Sequence, residues 1–138
     1  MFLNGGRLEK RLQLISKAQA EALSRGRQLH FAVHAVPLCA DTDTQAWAEI
    51  DARLARIDPM LKPRREEQVN GATGRWAGGG DPLTHLDANE GYCTRLIGSP
   101  AITFEHIQEL RSIGVDRLHL ELWNAQFIGQ VLPRIHEI

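Results

Sequence analysis

The chain is short of cysteine, and its two, Cys39 and Cys93, stand far apart among 138 residues. Two such residues make no disulfide framework, and with no CxxC pair they make no zinc site. Surplus charge is missing as well: 16 Lys and Arg against 17 Asp and Glu leave a formal net charge of −1. No bulk field draws nucleic acid or anionic lipid, so neither is an expected partner. No apolar run approaches the roughly 20 residues of a membrane helix. Met1 to Gly6 has no basic stretch leading into an apolar one, so no secretory signal is visible and a reducing, cytoplasmic setting is expected. Six histidines are present, but none in an HxH or HExxH arrangement, and no metal site is expected.

What is present is ordinary globular material. Apolar residues at 43% and charged residues at 24% suit one folded α/β domain spanning 1–138. Leu8, Leu12, Ile15, Ala18 and Ala22 have helical spacing, and Arg25-Gly26-Arg27 fits a helix stop. Leu29 to Leu38 reads as a short buried strand, with Pro37 near its end. Asp41 to Thr44 offers N-caps for a helix through Ala46, Trp47, Ile50, Leu54 and Ile57, stopped by Pro59 and Pro63.

Periodicity then disappears. Residues 62–91 hold five glycines between Gly71 and Gly80 and the single aromatic Trp76, so an irregular insertion loop is expected. Arg95 to Gly98 reads as a very short strand. Ser99-Pro100 opens a helix that Gly114 closes, Val115 to Leu122 is a strand, and Ala125 to Ile138 is a last helix. Strands alternating with helices predict parallel pairing, and three cannot close an eight-stranded barrel.

Three stretches carry a family resemblance. They are Phe31 to Trp47 (FAVHAVPLCADTDTQAW), Asn89 to Pro100 (NEGYCTRLIGSP), and Leu110 to Asp116 (LRSIGVD) followed by Val131-Leu132-Pro133. In this order and spacing, with LNGG at Leu3 to Gly6 ahead of them, they resemble the C-terminal part of the luciferase-like flavin monooxygenases. That superfamily includes alkanesulfonate and dimethyl sulfone monooxygenases. The resemblance implies an incomplete (β/α)8 TIM barrel, holding about strands six to eight with their helices. It implies reduced FMN (FMNH2) from a separate flavin reductase, and O2. The chemistry implied is oxygen insertion through a flavin C4a-peroxide into a small sulfur-containing or related organic substrate.

The resemblance also sets site expectations. His34 falls where sulfonate-oxidising members have the arginine of an Arg-x-His pair, and Val36 falls on its histidine. A loop arginine of those members falls at Asn89, and a tyrosine after the eighth strand falls near Trp123. Losing both arginines argues against an anionic sulfonate and suits a neutral sulfone. His34 is the candidate catalytic proton donor, or else a core histidine. Trp76, Asn89, Tyr92 and Trp123 are candidates for the substrate and flavin pocket, Trp76 within a closing lid. Tyr92 and Trp123 otherwise seal the core end. Gly98-Ser99-Pro100 is either a phosphate-binding helix start or a plain cap.

Two readings result. One is an FMNH2-dependent monooxygenase, or the C-terminal half of one, working with a missing N-terminal half or as a homo-oligomer. The other is a non-catalytic truncated α/β remnant that oligomerises over its open strand edges and binds no flavin.

Overall fold

The computed structural model describes residues 1–4, 8–60, 81–86 and 91–135. Its strands are β1 (Phe2–Leu3), β2 (Ala32–Ala35), β3 (Leu38–Cys39), β4 (Ile97–Gly98) and β5 (Arg117–Leu120). Its helices are α1 (Leu8–Ser24), α2 (Asp43–Ala55), α3 (Pro100–Ser112), α4 (Ala125–Gln130) and α5 (Leu132–Ile135). Single 3-10 turns occupy Pro82–His85 and Gly91–Thr94.

β1, β2 and β5 form one parallel sheet in that order, and β3 pairs parallel with β4. Three parallel strands are present, as expected, but one of them differs. The sequence reading made Arg95 to Gly98 a strand of the same wall. Instead β5 pairs directly with β2, His34 opposite His119, while Ile97–Gly98 pairs beyond them with Leu38–Cys39.

The bonding shows how this fits. The amides of Ala32, Val36, Leu38 and Ala40 donate to Met1, Gly91, Leu96 and Gly98, whereas Phe31 and Ala35 accept from Arg117 and Glu121. Even residues of the long β2–β3 strand use one edge and odd residues the other. β1 and the segment 91–98 therefore share an edge, one after the other. Pro37 has no amide to give and sits at an odd position just past the last bond to β5.

Side-chain alternation gives the sheet two unlike faces. Val33 and Ala35, level with Leu118 and Leu120, pack into the main core with Ile107, Leu110, Phe127 and Val131. The opposite face carries Phe2, His34, Arg117 and His119, by the same register. Helices thus cover one face of the sheet. A second cluster joins α2 to the β3–β4 pair through Val36, Leu38, Ala46, Ile50 and Ile97.

The helix stops behave as read: Gly26 and Gly114 take positive φ values of 67° and 97°. Thr42 caps α2 through a reciprocal bond pair with Gln45. Three details depart from the reading. Leu8 and Leu12 are exposed, and the inward stripe of α1 runs through Arg11, Ile15 and Ala22 instead. Arg11 reaches across to the Cys93 carbonyl at 3.4 Å. The last helix is two, α4 and α5, because Pro133 lacks the amide that would bond Gly129. Ser99 makes no side-chain cap; the Asp43 carboxylate accepts its amide at 2.6 Å instead.

Candidate functional site

The open face of the sheet is where chemistry collects. His34 lies in β2 and is only 3% exposed, although it sits on the face opposite the main core. Its carbonyl accepts the Thr94 hydroxyl at 2.8 Å, which joins β2 to the turn at Gly91–Thr94. Its Nδ1 lies 3.3 Å from Nδ1 of His119. Its Nε2 is buried with no hydrogen-bond partner, and Glu121 Oε1 lies 3.6 Å away. The Phe2 ring meets His119 edge-on at 5.7 Å.

Gly91 closes over this imidazole. A Cβ there would stand 2.8 Å from His34 Nε2 and 2.5 Å from Val36 Cγ2, so only glycine lets the turn approach so closely. The next residue, Tyr92, is 6% exposed, and its hydroxyl accepts from Arg53 at 3.1 Å. The same guanidinium lies 4.2 Å over the Trp123 ring and also pairs with Glu49.

Of the expected site residues, Tyr92 and Trp123 are thus brought together through Arg53. His34 is brought to His119 and Glu121, and the Gly91–Tyr92 step joins the two groups. Trp76 and Asn89 lie outside the described residues. Sequence reading missed His119, Glu121 and Arg53. A signal existed for the first two: Arg117, His119 and Glu121 alternate with leucines, which puts three polar groups on one face of a strand.

The electrostatics separate working groups from structural ones. Burial pushes the Cys39 thiol up, and Asp41 and Asp43 add to this, against a weaker downward pull from a Thr103 bond. Cys39 is an inert thiol. Bonds from Ser99 hold Asp43 below the ordinary carboxylate range. The start of α3 is therefore already filled by a protein carboxylate, which favours the plain cap over the phosphate-binding reading. Among the described residues no group of three His, Cys, Asp or Glu is placed to hold a metal, and no helix is long and apolar enough to cross a membrane.

The residues present fit one wall of a flavin pocket. They offer a buried ring nitrogen without a hydrogen bond, the aromatic surface of Phe2 and the cation of Arg117 on one face, with the Trp123 ring beyond the end of β5.

No family model matches the chain. Over its length it resembles two FMNH2-dependent dimethylsulfone monooxygenases, at 29% identity for that of Pseudomonas putida and 26% for that of Pseudomonas fluorescens strain Pf0-1. Each match covers 99% of this chain and 41% of the relative, so the chain spans about two fifths of those enzymes. Among solved structures it superposes on a riboflavin lyase described with modified FMN and riboflavin (TM-score 0.66, 19% identity, 38% of that chain). It also superposes on a long-chain alkane monooxygenase (0.66, 13%, 36%) and on the EDTA monooxygenase of Chelativorans sp. BNC1 (0.56, 15%, 41%). Each superposition covers 99% of this chain, and at these identities they establish the fold. Motifs, sequence relatives and fold agree in direction: the chain resembles part of the FMNH2-dependent dimethylsulfone monooxygenases in sequence, and it shares the fold of the solved structures over 36–41% of their length.

Proposed function

We propose that the chain contributes one wall of an FMNH2-dependent monooxygenase acting with O2 on a small, neutral, sulfur-containing or related organic substrate. The observation that carries this reading is His34: a buried imidazole whose Nε2 has no hydrogen-bond partner, on the sheet face opposite the main core. A core histidine of purely structural use is normally satisfied at both nitrogens. The dimethylsulfone monooxygenase relatives supply the substrate class, and the absence of arginine at position 34 fits a substrate without charge.

FMNH2 would supply the electrons that activate O2. His34 holds and delivers a proton, and Phe2, Tyr92 and Trp123 shape the apolar surround. Trp76 and Asn89 are further candidates for the same pocket, on the family resemblance alone. A flavin reductase supplies the reduced flavin, and the setting is cytoplasmic. One wall does not bury a ligand on most sides, so flavin is held only when the remaining barrel, from a separate half or a second copy, completes the pocket.

A specific observation favours the second reading, a non-catalytic oligomerising remnant. β1 and β5 are both outer strands among the described residues, and Phe2, Leu122 and Trp123 are each more than 40% exposed beside them. Flavin fluorescence titration, then turnover with NADH, a reductase and dimethyl sulfone, separates the two. The measurements are made with and without a polypeptide carrying the other barrel strands. Binding and turnover that appear with that polypeptide support the enzyme; an oligomer that takes up no flavin under either condition supports the remnant.

A further inference from the structure

We infer that His119 is a positioning residue that, with Glu121, fixes the proton of His34 on Nε2. The assignment comes from geometry. The rings of His34 and His119 have centroids 5.5 Å apart, and their Nδ1 atoms are 3.3 Å apart. The difference is close to two imidazole radii, so both nitrogens lie near the line joining the centroids and point at each other. That is the arrangement of one N–H···N hydrogen bond. It does not suit a chelated cation, which sits off that line with the two lone pairs converging on it.

A bond between two like nitrogens needs one N–H and one lone pair. The other side of His34 decides which ring gives. If His34 held its proton on Nδ1, its Nε2 lone pair would face the Glu121 carboxylate at 3.6 Å, acceptor against acceptor, in a buried place. If His119 donates, His34 accepts at Nδ1 and carries its proton on Nε2, toward the carboxylate. The second arrangement gives the histidine pair one donor and one acceptor and turns the Nε2 proton, not a lone pair, toward the carboxylate. The surroundings hold the His34 side of the pair, while His119 is exposed. Phe2 holds the His119 ring edge-on, Gly91 closes over His34, and the Thr94 hydroxyl takes the His34 carbonyl.

The consequence rests on the proposed function. His34 then presents a proton, not a lone pair, at Nε2, and Glu121, half exposed, links that buried proton to the open face. A ring nitrogen held in this form donates a hydrogen bond to an oxygen on the open face, and hands over its proton once the other nitrogen has also been protonated.

The test needs no flavin, so its failure is separate from failure of flavin binding. Histidine nitrogens of the 15N-labelled chain are read by long-range 1H–15N correlation at about pH 8, where unperturbed imidazoles are neutral. His34 is expected to show a protonated Nε2 and a bare Nδ1, and His119 a protonated Nδ1. In His119→Phe this single-tautomer signature of His34 is lost and the two forms mix. His119→Gln, which keeps an N–H donor, restores it. A His34 protonated on Nδ1 in the unaltered chain would overturn the assignment. So would a His34 spectrum unchanged in His119→Phe. If His119→Phe does not fold, the unaltered spectrum and the glutamine variant still decide.

Discussion

Arg53 lies 4.2 Å over the ring of Trp123 while donating to the hydroxyl of Tyr92 at 3.1 Å. One cation on α2 thereby fixes two aromatic residues that belong to different strand ends. A cation over an exposed indole is worth about 0.5–1 kcal/mol. A double-mutant cycle of Arg53→Ala and Trp123→Ala, followed by urea denaturation, is expected to return a coupling of that size. Strict additivity would show that the stacking contributes nothing in solution.

Gly91 is expected to tolerate no side chain. Gly91→Ala drives a methyl into Val36 and His34, and overpacking of this kind costs about 1–3 kcal/mol. The His34 ring has to move, so its NMR signals shift together with the loss of stability. An alanine variant with unchanged stability and unchanged His34 resonances would mean the turn sits farther off.

The core predicts a contrast between neighbours in one helix. Phe127 is fully buried and Ile128 is 40% exposed. Phe127→Ala is expected to cost about 3–5 kcal/mol, and Ile128→Ala no more than about 0.5 kcal/mol beyond propensity. Chemical denaturation of both variants checks the ratio; comparable losses would contradict the placement of α4.

Acid should weaken the fold through two carboxylates. Asp116 is held below its ordinary pKa of 3.8 chiefly by the Phe31 amide at 2.7 Å, and Asp43 by the Ser99 amide at 2.6 Å. Because the folded values are depressed, the stabilisation is complete above the unfolded value and is lost as pH falls through the folded one. Stability should therefore be flat in this respect at neutral pH and fall below about pH 4. Asp116→Asn and Asp43→Asn should each be less stable than the parent at pH 7, with the gap closing near pH 3. A gap that persists in acid would place the effect elsewhere.

Cys39 gives a simple check on burial. It is 3% exposed with its thiol pushed up, so alkylation at pH 8 should be slow in the native chain and prompt in denaturant. Equal rates would mean that the β3–β4 region opens readily.

Most of the helices and the parallel sheet were legible because their signals are local. Gly26 and Gly114 end helices through their own backbone freedom, and Thr42 with Gln45 starts one through side chains three residues apart. What escaped was decided at a distance. Leu8 and Leu12 have the right spacing to be buried, yet tertiary contacts turn α1 onto Arg11 and Ile15. Ile97–Gly98 has strand character, but which strand it joins depends on β5 already occupying the other edge of β2. His34 was singled out from its place mid-strand. His119 was not, because its importance lies in being level with His34 across the sheet, and register is not written in either strand alone.

The shared edge of the β2–β3 strand has a consequence for chain length. The chain leaves α2 after Ala55, and by Gly91–Gly98 it is bonded again to Val36, Leu38 and Ala40 beside that same helix. The two ends of the intervening stretch, a detour in sequence, thus meet at one anchorage. Closing a longer detour adds only about 0.6 kcal/mol per doubling of its length. The returning end is held in its own right: Leu83 is 2% exposed in the second core cluster, and Asp81 accepts from Arg95 at 3.1 Å. A change of length ahead of Asp81 therefore adds little closure cost while β1, β2 and β5 keep their pairing.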